Sequence, residues 1–134
     1  MKQEGELKLK VISKEDNPRD IKERTFAFAL EVIKFTQSID FRNEALRTLG
    51  RQLLRSGTSI GANVEEAQTG QSRADFTSKY AIALKESRET IYWLRLLKET
   101  RMFDDGEALI QEAGEIARII GAIIVNTKNN CNHR

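Results

Sequence analysis

Residues 43–68 read NEALRTLGRQLLRSGTSIGANVEEAQ. At about 100° per residue, Leu46, Leu49, Leu53, Gly57, Ile60 and Val64 fall on one face of a helix, and the phase holds along the whole stretch. Gly50, Gly57 and Gly61 line the flank of that seam. A glycine inside a helix costs about 1 kcal/mol against alanine, so three of them need a reason. Close approach of a second helix is one reason; a bend or break near Gly57 is the other.

The same periodicity extends to both sides. Upstream, Asn17 can cap a helix, Pro18 suits its first position and Asp20 its first turn. Ile21, Phe28, Val32, Phe35 and Ile39 then share one face, before a break around Asp40 and Phe41. Phe26, Leu30 and Ile33 form a second apolar stripe nearly opposite, more than one buried face of a bundle helix requires. Downstream, TGQS at 69–72 forms a turn, and Ser72 with Asp75 resembles a capping box. The third helix runs to about Arg101 and buries Phe76, Tyr80, Ala83, Leu84, Ile91 and Leu94. After a turn at 102–104, Asp104 with Glu107 repeats the cap signature. The fourth helix extends to about Thr127 along Leu109, Ala113, Ile116, Ile120 and Ile123. Between Ile116 and Val125 only Arg118 is charged, as in a helix buried on more than one side.

Short connections make neighbouring helices antiparallel. The expected fold is all-α, an up-down-up-down four-helix bundle over residues 17–128. Residues 1–16 are expected as a loosely ordered arm, in which Leu7, Leu9 and Val11 alternate weakly with Lys8 and Lys10; docking of this arm on a neighbouring subunit is the alternative. Residues 129–134 are expected as a tail. The surplus apolar surface on the first and fourth helices predicts a homo-oligomer.

Composition narrows the function. A chain of 134 residues is one domain, and a single proline agrees with long helices. One cysteine cannot close an internal disulfide, so a reducing cytoplasm is expected. No apolar run approaches the ~18 residues of a membrane span, and the chain opens on no signal-peptide pattern. No membrane partner is therefore expected. The one histidine, His133, stands next to last, so no Glu-x-x-His pair exists to hold a di-iron centre. Cys131 and His133 are too few for zinc, and no serine–histidine pair or phosphate-cradling loop lies within the helices. No catalytic residue, metal or cofactor is assigned.

Two features remain. Gln52, Ser56, Ser59 and Asn63 share a polar face of the second helix, and Ile82, Glu86, Glu89 and Trp93 share a face of the third. Their simplest role is a polar network that fixes register; a ligand or catalytic site using Glu86 and Glu89 is the rival. The other feature is basic. Net charge is only +2, from 22 basic and 20 acidic residues, yet Arg47, Arg51 and Arg55 recur every four residues. Lys85, Arg88 and Arg95 join Tyr92 on the third helix, while residues 102–118 carry five carboxylates against one arginine. Such stripes are solvated faces in many proteins; repeated around an oligomer they could bind phosphates.

Several dispersed motifs resemble one family. They are SIGAN at Ser59–Asn63, Glu66, S-x-x-D-F at Ser72–Phe76, IALKES at Ile82–Ser87 and E-T-x-Y-W-L at Glu89–Leu94. Together they are similar to the four-helix-bundle proteins associated with intervening sequences of bacterial 23S ribosomal RNA. Ala67 stands where many relatives have glycine, and Gln71 lies near a position that is often basic. The resemblance implies an antiparallel bundle and a homopentamer. It also implies a fold related to the accessory protein of diversity-generating retroelements, which engages reverse transcriptase and nucleic acid through a basic surface. The expectation is a non-enzymatic homo-oligomer that contacts RNA or a nucleic-acid-processing partner through Arg47, Arg51, Arg55, Arg88 and Arg95. A scaffold or protein adaptor with no nucleic-acid role is the alternative.

Overall fold

Four helices form where the apolar phase runs unbroken: α1, Pro18–Gln37; α2, Glu44–Gln68; α3, Arg73–Glu99; and α4, Gly106–Asn132. The computed structural model describes residues 18–69, 72–100 and 106–132. The N-terminal arm, Asn17 and Asp104 lie outside the described residues. The Asn43 side chain accepts from the Leu46 amide to start α2, and Ser72 accepts from the Asp75 amide to start α3. In the turn between α1 and α2, Arg42 folds onto Asp40. Hydrogen bonds from the Arg42 side chain and backbone hold that carboxyl below its ordinary range.

α4 runs past the expected end at Thr127, through residues 129–132. Nothing in NTKNN is a glycine or proline, so no residue there forces the helix to stop.

Helices adjacent in sequence lie side by side, and α1 closes on α4. The result is a ring of four antiparallel helices, an up-down-up-down bundle. Val32, Leu53, Ile60, Val64, Ala83, Leu94, Ile116 and Ile120 are fully buried at its centre. Leu49, Phe76, Leu84 and Ile91 pack against this core while remaining partly exposed. No helix is long and apolar enough to cross a membrane among the described residues.

The glycines of α2 mark its closest approach to α1. The helix continues unbroken through Gly57, which removes the break as an explanation. A Cβ at Gly57 would sit 2.9 Å from Val32 Cγ1, one at Gly61 would sit 3.2 Å from Thr25 Oγ1, and one at Gly50 would sit 3.1 Å from Ile39 Cδ1. Real Cβ atoms essentially never come as near as the first of these. The missing side chains let the two backbones come together.

Between α1 and α4 the seam carries charge. Arg24 is only 1% exposed and lies between Ile21 and Phe28 on the core face of α1. Its Nε and Nη2 donate to the two carboxylate oxygens of Glu112 at 2.7 and 2.6 Å, and Nη2 reaches Glu115 at 3.2 Å. Burial alone would lower the Arg24 pKa, but the hydrogen bonds and charges of Glu112 and Glu115 outweigh it and hold the guanidinium above its ordinary value. The Nη1 atom is buried without a hydrogen-bond partner.

Tyr80 supplies a pH-dependent contribution. Its ring is fully buried beside Phe76, with centroids 4.5 Å apart, and its hydroxyl accepts from Gln68 Nε2 at 2.8 Å. Burial pushes the phenol up to about 12, against a smaller lowering by the Gln68 hydrogen bond. The folded state therefore keeps a proton that the unfolded state loses from about pH 10 upward. Stability from this group is present below pH 10 and declines as pH rises toward 12. Urea midpoints measured from pH 9 to pH 12 should fall more steeply for the wild type than for Tyr80→Phe. Equal slopes would remove Tyr80 as the cause.

Candidate nucleic-acid interface

α2 and α3 are joined by a polar seam built from both helices. At its buried level, Ser56 Oγ and Thr90 Oγ1 are 2.9 Å apart. Each hydroxyl also reaches a carbonyl of its own helix, Ser56 to Leu53 and Thr90 to Glu86. One hydroxyl thus donates to the other, whose own proton goes to the backbone. Both groups are satisfied out of water, so the pair fixes the relative height of α2 and α3 with no unpaired polar atom.

One step outward, Arg55 bridges the helices. Its Nη1 donates to Glu86 at 3.2 Å, its Nη2 pairs with Glu89, and its Nε donates to Gln52 on its own helix at 3.2 Å. Glu89 also accepts from the Trp93 indole N–H at 3.2 Å. Spacing groups Arg55 with Arg47 and Arg51, but its guanidinium is committed to the two carboxylates. The clue lies in phase: Arg55 sits three residues after Gln52 and four before Ser59, on the polar face itself.

Ser59 and Asn63 do not reach across. Ser59 Oγ donates to the Arg55 carbonyl at 2.6 Å, and Asn63 Nδ2 donates to the Ser59 carbonyl at 2.8 Å. Two open hollows lie on the surface, one along Glu44, Ala45, Thr48 and Leu49 and one between Arg73, Thr77 and Lys128. Neither reaches Glu86 or Glu89.

The other four candidate arginines, Arg47, Arg51, Arg88 and Arg95, have no carboxylate partner among the described residues. Arg51, Arg88 and Arg95 are exposed and Arg47 is half-buried, and none of the four makes an ion pair among the described residues. Within one subunit they lie on two helices, and a shared surface would be completed by neighbouring copies in an oligomer. Arg88 is two residues from Glu86, about 200° around α3, so it faces away from the Arg55 bridge that adjoins α2. Arg95 shares the Arg88 side with Tyr92 and Lys85. The acidic region is partly neutralised: Glu112 and Glu115 hold Arg24, and Glu107 pairs with Lys98.

The apolar stripe of α1 is open to solvent. Phe26 is 57% exposed, Leu30 45% and Ile33 37%. Apolar periodicity passes over Arg24 as a core residue, although its position three after Ile21 and four before Phe28 places it on the buried face.

Comparison with known proteins agrees with this architecture. A family model described as 23S rRNA-intervening sequence protein matches residues 18–122, which spans α1, α2, α3 and most of α4. No curated protein matches the chain. Among solved structures, a protein of unknown function from the S23 ribosomal protein family of Bacteroides thetaiotaomicron is 39% identical and superposes with a TM-score of 0.72. The match covers 78% of this chain and 97% of that one. With a family model matched over most of its length, and over all of the helices that carry the polar seam and the exposed arginines, the chain belongs to the 23S rRNA-intervening sequence protein family.

Proposed function

We propose that this protein is a non-enzymatic, cytoplasmic homo-oligomer that binds RNA, or a partner that processes nucleic acid, through a basic surface. The observation that carries the reading is the set of exposed arginines, Arg51, Arg88 and Arg95, that have no carboxylate partner among the described residues, while Arg24, Arg42 and Arg55 are each neutralised. A cation that holds no internal partner is available to a phosphate. Membership of a family named for an rRNA intervening sequence supports the same direction. Charge reversal of Arg51, Arg88 and Arg95 together should lower RNA affinity by about tenfold or more with helical content unchanged. Unchanged affinity would reject this surface.

Self-association rests on the α1 stripe. Phe26, Leu30 and Ile33 follow one another at four and three residues on the outer face of α1, a row that a second copy would cover. By family resemblance the expected assembly is a pentamer. Light scattering should give a multimer for the wild type and a smaller mass for Leu30→Glu. A wild-type monomer at micromolar concentration would contradict the oligomer. A multimer that binds no polyanion would favour the adaptor alternative.

A further inference from the structure

We infer that Tyr92, straddled by Arg88 and Arg95, is a stacking platform for an unpaired base of single-stranded RNA. This rests on the RNA-binding reading and adds to it a place and a strand type.

Tyr92 lies in the middle of α3 and is 52% exposed. A lone exposed aromatic would mean little. This one is backed and flanked. Its ring meets Trp93 edge-on, with centroids 5.2 Å apart and planes at 66°. The Trp93 indole is held by Glu89, and Glu89 is held by Arg55 of α2. The ring therefore rests on a support tied into two helices, so little freedom is lost when a base stacks on it.

The flanking charges have matching spacing. Arg88 precedes Tyr92 by four residues and Arg95 follows by three, so along the axis they stand about 6 Å and 4.5 Å from it. Lys85 continues the row one turn further. All three cations are exposed and make no ion pair among the described residues. Glu89, the carboxylate beside the ring, is occupied by Arg55 and Trp93. Glu99 lies on the row two turns beyond Tyr92, about 10.5 Å along the axis. A base on the phenol ring thus has a cation on each side for the phosphates that flank it. An aromatic face between cations is the arrangement that recognises single strands, whose bases are free to leave their neighbours. Bases within a duplex keep their faces stacked and cannot use the ring.

The test uses the full chain, a labelled 20-nucleotide oligouridylate, and a duplex RNA of equal length. Tyr92→Ala should weaken oligouridylate binding about 5- to 150-fold, the range for losing one stacked base. Tyr92→Phe should bind like the wild type, and the duplex should not distinguish Tyr92→Ala from wild type. Trp93, the chain's one tryptophan, should change its emission when oligouridylate is added. If Tyr92→Ala binds oligouridylate as wild type does, while Arg88→Glu with Arg95→Glu does not, the platform is wrong and the basic surface stands. If Tyr92→Ala loses oligomer mass along with binding, Tyr92 is a subunit contact and the platform is also wrong. If the wild type binds neither RNA at low salt, the RNA-binding reading fails and the platform fails with it.

Discussion

Replacing Arg24 with alanine should destabilise the fold by about 3–5 kcal/mol, the largest single effect expected in this chain. The guanidinium lies 1% exposed, with both Glu112 oxygens paired to it. Its removal strands the Glu112 carboxylate in a site that offers little water, and it opens a cavity beside Ile21 and Phe28. The ion pair itself is another matter. Two charges taken out of water gain little net stability, and Arg24 Nη1 is already a buried donor with no acceptor. Arg24→Met with Glu112→Leu should therefore be neutral or up to about 4 kcal/mol more stable than wild type. Urea unfolding followed by circular dichroism, at one protein concentration, separates these outcomes. A loss below about 0.5 kcal/mol for Arg24→Ala would mean that Glu112 finds water or another partner. The role of the pair is then specificity: it ties α1 to α4 at one register.

Gly57→Ala should lower stability by about 1–3 kcal/mol, even though alanine is the better helix former by about 1 kcal/mol. The new Cβ would meet Val32 Cγ1 at 2.9 Å and Cγ2 at 3.0 Å. Val32 is fully buried and β-branched, so its side chain has no free rotamer to retreat into. The cost should shrink when the two methyl groups are removed. In a Val32→Ala background, Gly57→Ala should cost at least about 1 kcal/mol less than in the wild type, because the remaining contact is with the residue-32 Cβ at 3.3 Å, which offsets part of the propensity gain. A double-mutant cycle measures this directly. Additive effects would show that the glycine is not there for close approach.

These two positions mark where sequence reading succeeds and where it stops. Helix starts are legible at Pro18 and Ser72 because proline and a capping hydroxyl act locally. Gly57 is legible as unusual but not as explained, since a bend and a close approach leave the same letter in the sequence. Only the position of Val32 distinguishes them. Arg24 is legible in phase, three after Ile21, but a charge on a core face looks like an error until Glu112 is seen across the bundle. The end of α4 carries no signal, because residues 128–132 contain no helix breaker. For the candidate interface, the arginine spacing is visible in the sequence and its division is not. Arg55 leaves the stripe because Glu86 and Glu89 of α3 lie within reach, a relation that depends on how α2 and α3 are docked. Ser59 and Asn63 turn back onto their own helix for a related reason: a carbonyl one turn away is always near, and a partner on another helix is not.

RNA affinity over a salt series is the most direct measurement. The wild-type protein should bind a single-stranded oligoribonucleotide at low salt, and the logarithm of its affinity should fall linearly with the logarithm of salt concentration. Removing the charge of Arg51, Arg88 or Arg95 should reduce that slope by about 0.7 for each phosphate no longer neutralised. Absence of binding at low salt, or binding with no salt dependence, would contradict the account.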